Sequence, residues 1–370
     1  MSALLKPPRG LRLRARRESF AQGAVYSAEH KESGTPRLVL SRASAPADDR
    51  DEVWLHMARA SKDLEHENVC RIFDIEIRSD RIDLIAEHLE GLSVRALVDG
   101  LRGVRRRLVA RHALYLCSRV LSAVQAVADI YPAASGWALR PDDFFIRRDG
   151  VVKMLPPMQR WNEFILADTR EVYAAPEQIL GQPGDQRSLV FAVGLVLAEI
   201  VSGRPLVRRE SAFCSMTAIV EGDLNLGRCE RAADGELWPL LRRATERDPE
   251  KRWQSIDEMV CELNKICEQL KPATEADMVR YVEVFERIRH ERRVGPSAAP
   301  KPADEGPPAV ESTAIITKQG LSRLLDEAQG MESTGVMSRA RVDGLLAQSC
   351  VQAGAADGDV SKSAGESFAK

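Results

Sequence analysis

Two adjacent carboxylates, Asp142 and Asp143, stand just ahead of a short apolar stretch that reads as a strand. Paired acids there have the chemistry to hold a divalent cation through hard oxygen ligands. The plainer reading, two solvated side chains, is the one we adopt. The seven cysteines (Cys70, Cys117, Cys214, Cys229, Cys261, Cys267 and Cys350) offer thiol chemistry, but none forms a C-x-x-C pair, so their spacing gives no zinc site. Scattered over apolar segments, they read as reduced core residues. Basic residues cluster at Lys6 to Arg17 and at Arg102 to Arg107. The first cluster alternates with Leu11, Leu13 and Ala15, which predicts a strand with one solvated basic face rather than a phosphate or lipid site.

The chain must supply enough structure to position such groups. Its 370 residues and 44% hydrophobic content suffice for one large two-lobed domain or two ordinary ones. A formal charge of −2 argues against a general nucleic-acid binder. The start has no apolar signal-peptide core, and the run near 189–201 is broken by Glu199 and too short to span a bilayer. Strands are expected at 11–28, 37–42, 70–77 and 81–88, with one helix at 50–64. After Gly91 the pattern turns helical, at 93–101 and 109–130. Short strands near 143–147 and 151–155 flank the hairpin turn Asp149-Gly150. Helices resume at 176–182, 187–202, 236–246 and 255–269. Thr274 and Asp277 form a capping box for a further helix with the stripe Met278, Tyr281, Val282, Phe285 and Ile288. A Pro/Ala-rich linker follows at 295–310. The remainder carries two apolar clusters, Leu321/Leu324/Leu325 and Val342/Leu345/Leu346.

Several segments, in order, resemble the bacterial branch of eukaryotic-like Ser/Thr protein kinases over residues 11–270. Gly23-Ala24-Val25-Tyr26 looks like the end of a glycine-rich loop, and Leu64-Glu65-His66-Glu67-Asn68-Val69 like the step after the first lobe's helix. Ile85 to Gly91 resembles the hinge, and Val152-Lys153-Met154-Leu155 the strand before D-F-G. Ala175-Pro176-Glu177 matches A-P-E, Ser188 to Gly194 resembles a helix start, and Asp248-Pro249-Glu250-Lys251-Arg252 resembles D-P-x-x-R. The resemblance implies that Glu177 and Arg252 form a buried pair anchoring the activation segment.

Against that pattern the chemical positions depart. Glu18 and Phe20 stand where two phosphate-loop glycines belong, and Ser41 in Leu38-Val39-Leu40-Ser41 stands where the lysine belongs. Arg42 follows, on the opposite face of the strand from Ser41. Met57 takes the helix glutamate's position and Ala138 the catalytic base's. Pro156 takes the D-F-G metal ligand's place, and Asp143 the asparagine's. Trp137 replaces the arginine that receives a phosphorylated activation segment. Leu189 replaces a buried aspartate, and Ser61, Gly136 and Pro157 thin the apolar stack that links the lobes.

The expected fold is α+β: a two-lobed protein-kinase-like fold with a small strand-rich N-lobe (11–88) and a larger helical C-lobe (89–270). A helical extension (271–294) and a linker with a largely disordered C-terminal tail (295–370) follow. The expected function is that of a pseudokinase, a regulatory or scaffolding protein-binding module in bacterial signalling, cytoplasmic, without phosphoryl transfer and therefore not an enzyme. The alternatives are a nucleotide-sensing form that binds ATP and an enzyme with rearranged kinase-type chemistry, for which Asp142, Asp143, Glu18 and Lys153 are the nearby groups. No catalytic, cofactor-binding or metal residue is assigned and no cofactor is expected. ATP binding is expected to be weak or absent. The expected partner is a protein, an active kinase or another signalling protein, with no nucleic acid and no membrane span.

Overall fold

The structure, a computed structural model, describes residues 6–20, 23–43, 49–130, 139–155, 172–232, 235 and 237–294, with side chains at 17–20, 23, 49–54, 57, 228 and 287–294 left out. The linker and tail over 295–370 fall outside the described residues.

The first lobe is an antiparallel sheet of β1 (Leu11–Phe20), β2 (Gly23–His30), β3 (Pro36–Ala43), β4 (Ile72–Ile77) and β5 (Arg81–Glu87), in the order β1-β2-β3-β5-β4. The single strand expected over 11–28 is thus a hairpin, with Phe20 opposite Gly23. One helix, α1 (Asp49–Lys62), crosses between β3 and β4. Strand side chains alternate between faces. Val25, Leu38, Leu40, Ile82, Leu84 and Ala86 lie on one face and join Ala58 of α1 in the main core, while Leu11, Ala28, Val39 and Ile85 form a smaller cluster on the other. The basic strand behaves as its pattern predicts: Leu11 is buried, Arg12 and Arg14 are exposed, and Arg14 pairs with Glu29.

The second lobe opens with β6 (Gly91–Ser93), which joins β7 (Phe144–Arg147) and β8 (Val152–Met154) in a small sheet ordered β6-β7-β8. Asp149-Gly150 makes the expected turn, with Gly150 at φ +88° where a side chain would be strained. Helices follow: α2 (Val94–Gly103), capped by Ser93; α3 (Ala110–Ile130); the single turn α4 (Pro176–Ile179); and α5 (Gln186–Ser202), capped by Asp185 and ended by Gly203. Four more complete the chain: α6 (Ala212–Glu221), α7 (Leu226–Ala232), α8 (Leu237–Ala244) and α9 (Ile256–Leu270). Helix α5 is buried almost all round, and Gly194 lets α8 approach so closely that a Cβ there would stand 2.9 Å from that of Ala244. Among the described residues α3 is the one helix long and apolar enough to cross a membrane, and 61% of its apolar window is buried inside the protein. It is the core helix on which α5 and α9 pack. The sequence reading had looked to 189–201 instead, a stretch of α5.

The lobes share one continuous core. They are also stitched by main chain, since Cys70 N–H donates to Met154 O (2.8 Å) and Met154 N–H to Asn68 O (2.7 Å). The Asn68 amide adds a bond to Val152 O at 2.9 Å. The extension helix α10 (Glu275–Val294) starts with the predicted box, in which Thr274 N–H donates to Asp277 Oδ2 at 2.8 Å. Met278, Tyr281, Val282 and Phe285 are buried against α2, β6 and β7. The two-lobed, kinase-like fold is therefore present, and the extension belongs to its body.

Candidate functional site

The cleft between the lobes is roofed by β2 and β3, and their register decides which residues face it. Val25 pairs with Leu40 and Gly23 with Arg42. Across to β5, Leu40 pairs with Leu84 and Arg42 with Ile82. Directly opposed residues share a face, so Arg42 lies on the core-facing side with Leu40, Leu84 and Val25, opposite Gly23. It is 1% exposed. Ser41 lies on the other side, opposite Asp83, whose carboxylate accepts from Arg81 Nε at 3.1 Å. Assigning the lysine's position to Ser41 is thereby corrected. The core-facing side of β3 carries Arg42, and a guanidinium fork matches phosphate oxygens two at a time.

On the floor, Pro141–Asp143 form a 3₁₀ turn ahead of β7. Asp143 is 7% exposed and turns back on its own turn, accepting from Arg140 N–H at 2.8 Å, with the Arg140 guanidinium 3.6 Å away. Asp142 faces Arg95 of α2 at 3.4 Å. Arg95 in turn holds Glu199 of α5 and the Tyr173 hydroxyl, and Tyr173 donates to Glu199, which is fully buried. The two neighbouring acids thus point to different cations and do not converge. Among the described residues no group of three His, Cys, Asp or Glu side chains is placed to hold a metal ion. The described floor thus offers a divalent cation no converging pair of carboxylates.

Lys153 sits behind the floor. Its ammonium lies 3.2 Å from Glu87 Oε1 at the end of β5 and 3.3 Å from Val69 O, so it ties β8 to the first lobe. Glu177 and Arg252 form the pair that the resemblance implies, with bonds of 2.7 and 2.9 Å and Arg252 wholly buried. Burial alone would raise the Glu177 carboxyl, but hydrogen bonds from Arg252 and Ser188 outweigh it and hold the group below its usual range. Leu189 is buried on α5 as an apolar residue, and Ser61 is buried in the last turn of α1.

The backbone of β1 carries Glu18 and Phe20, but their side chains, like that of Met57, lie outside the described residues. So do Gly136, Trp137, Ala138, Pro156, Pro157 and Met158. The six described cysteines are free. Burial pushes the Cys229 thiol up to about 12 and the Cys70 and Cys117 thiols higher, so these three are inert core residues, whereas Cys214 and Cys261 are exposed.

No family model matches the chain. Curated relatives include the serine/threonine-protein kinase Pkn1 of Myxococcus xanthus, 29% identical over 254 residues, which are 63% of this chain and 35% of that protein. Serine/threonine-protein kinase pak-2 of Caenorhabditis elegans is 25% identical over 63% of this chain and 44% of its own length. PrkC of Bacillus subtilis is 21% identical over 56% of this chain and 32% of its own. The match thus spans a third to under half of the relatives' length. These relatives are bacterial and eukaryotic Ser/Thr protein kinases, and they support the kinase family. The expectation that the chain is not an enzyme is corrected by the same finding: relatives 21–29% identical are named Ser/Thr protein kinases and point to a kinase enzyme.

Proposed function

We propose that the chain is a kinase-family signalling protein that takes a nucleotide triphosphate into the interlobe cleft through Arg42 and regulates or scaffolds a protein partner. The observation that carries the reading is the burial of Arg42 on the core-facing side of β3, paired across the sheet with Gly23. A guanidinium at that place compensates phosphate charge where a dry surrounding strengthens the attraction. The names of the relatives support phosphoryl transfer from the nucleotide as the reaction, with Arg42 in the charge-compensating role. This is the rearranged chemistry that the sequence held as an alternative, and it favours nucleotide binding over its absence.

The partner role is supported by the most exposed large apolar side chains of the helical lobe. Leu180, 61% exposed, follows α4, and Phe213, 72% exposed, lies on α6, and these two elements pack together. Exposed apolar side chains on adjoining elements fit a protein surface. Bacterial signalling and a cytoplasmic setting are part of the proposal.

A thermal-shift titration with ATP, with and without Mg²⁺, tests it. ATP at 100 times its dissociation constant should add about 2.7 kcal/mol of stability. Arg42→Ala should abolish the shift and Arg42→Lys retain part of it, while label transfer from ATP in parallel reads the reaction. A flat titration, or one that Arg42→Ala leaves unchanged, would refute the cleft reading. Phe213→Asp, an exposed change, should weaken capture of the partner in pull-downs made with and without residues 311–350, at an unchanged melting temperature.

A further inference from the structure

The basic run at Arg102 to Arg107 lies in the last turn of α2 and the loop that follows it. The end of α2 and the loop after it meet the end of α5 there. Gly203, at φ +71°, closes α5 there, and a Cβ at that position would stand 3.7 Å from the Cβ of Arg107, an ordinary contact. Between the two segments lies a depression of 790 Å³ whose walls include Arg102, Arg105, Arg106, Arg107, Arg204 and Ser202, and no acidic residue. Arg102 pairs with Asp99 and Arg107 donates to Arg231 O at 3.3 Å, so part of the charge is held in place from behind. Arg105 adopts φ +59°, a left-handed conformation that glycine takes at far lower cost.

Arginines near helix C-termini answer the negative end of the dipole, and one or two per end suffice for that. Five guanidiniums around one concavity repel one another, and an anion seated among them relieves the repulsion. The volume is that of a small-molecule site rather than of a flat membrane face. Each fork can present two N–H donors to one phosphate. We propose that this depression binds a soluble ligand bearing two or more phosphate groups, at a site separate from the cleft.

Isothermal titration calorimetry of the full chain with tripolyphosphate, at low salt, tests the proposal. One saturable equivalent is expected in the Arg42→Ala chain, whose cleft lacks the guanidinium proposed to hold phosphate. Arg105→Ala/Arg204→Ala should weaken it at least about tenfold, as loss of charged hydrogen bonds does, and the matching Lys pair should weaken it less. Both positions are exposed, so the variants should melt like the parent, and single Arg204→Ala serves if the double variant does not fold. Arg42→Ala should leave this binding in place. Absence of saturable heat would overturn the proposal, as would full affinity in the double variant or loss confined to Arg42→Ala. Capture of the chain by phosphatidylglycerol vesicles with no heat from tripolyphosphate would also overturn it, in favour of a membrane surface.

Discussion

Removing the Glu177 carboxylate should be among the costliest single changes in the helical lobe. Arg252 is fully buried, and its guanidinium reaches both Glu177 oxygens as well as the carbonyls of Arg187, Glu246 and Arg247, at 2.7 to 3.0 Å. Phe191 lies beneath it, 4.8 Å from ring centre to guanidinium carbon. Glu177→Ala keeps the three carbonyl bonds but strands a full positive charge in the core, and Ser188 loses the acceptor it holds at 2.6 Å. Breaking one side of a buried pair costs about 3–5 kcal/mol. The surviving carbonyl bonds place this case near the lower end, and at about 2–4 °C per kcal/mol the melting temperature should fall by roughly 6–12 °C. Glu177→Gln, which keeps an acceptor but not the charge, should fall between. Replacing both partners with methionine should recover much of the loss. Urea denaturation followed by tryptophan fluorescence reads the lobe directly, because Trp253 adjoins Arg252 and bonds Leu240 O. The penalty should also depend on pH. Glu177 is held below its usual range, so its contribution is present above the ordinary carboxylate pKa and is lost as pH falls through the depressed folded value. If Glu177→Ala melts within about 2 °C of the parent at neutral pH, a buried and unrelieved Arg252 charge is not what the substitution creates, and the reasoning fails.

Two further outcomes follow from buried groups elsewhere. His112, on α3 against Tyr281 of α10, is pushed down to about 4 by burial, with Arg111 and Arg280 lowering it further and Asp277 opposing them. Between its ordinary 6.5 and about 4 the unfolded chain binds a proton that the folded one does not, so up to about 3 kcal/mol of stability should drain away as pH falls through that window. His112→Leu should flatten the slope measured by denaturant titration at several pH values, and an unchanged slope would clear His112 of the role. Lys153→Met should cost about 1–3 kcal/mol by leaving the half-buried Glu87 without its cation, and adding Glu87→Gln should restore most of it. A double variant as unstable as the sum of its parts would show that the two side chains are not coupled across the lobes.

What the sequence exposed best were features whose physics is local. The Thr274/Asp277 box, the Asp149-Gly150 turn and the stripe of α10 each need only a few neighbours, and each stands where the pattern put it. Long apolar periodicity also located α3 and α5. Helix α6 went unread although its ends are marked: Ser211 caps the first turn by accepting from Cys214 N–H, and Gly222 closes the last at φ +79°. Between them Ala-Phe-Cys-Ser-Met-Thr has no clear helical stripe, because Phe213 faces out and Ser215 faces in, where its hydroxyl accepts from Arg209 N–H at 3.0 Å. The Arg95–Glu199–Tyr173 network was equally hidden. Its members lie up to 104 residues apart and belong to no motif, and the acid within the apolar run of α5 was the sole hint.

The misassigned lysine position shows why the site was harder to read than the fold. A strand has a period of two, so an error of one residue moves every side chain to the other face. In β3 both faces are buried, Val39 against the outer cluster and Leu40 against the main core, and hydrophobicity therefore cannot say which residue looks into the cleft. The information sits in the partner strands. Val25 fixes Leu40, Gly23 fixes Arg42, and α1 lies on that same face through Ala58. From the sequence alone, Leu-Val-Leu-Ser ending on a neutral hydroxyl and Val-Leu-Ser-Arg ending on a cation are equally good matches to the strand, and they carry opposite chemistry. One ends beside the Arg81–Asp83 bridge, and the other ends opposite Gly23 on the core-facing side. Which residue of β3 shares the core-facing side with Leu40 therefore depended on a register that only strand pairing could supply, and that register puts Arg42 there and Ser41 on the other side.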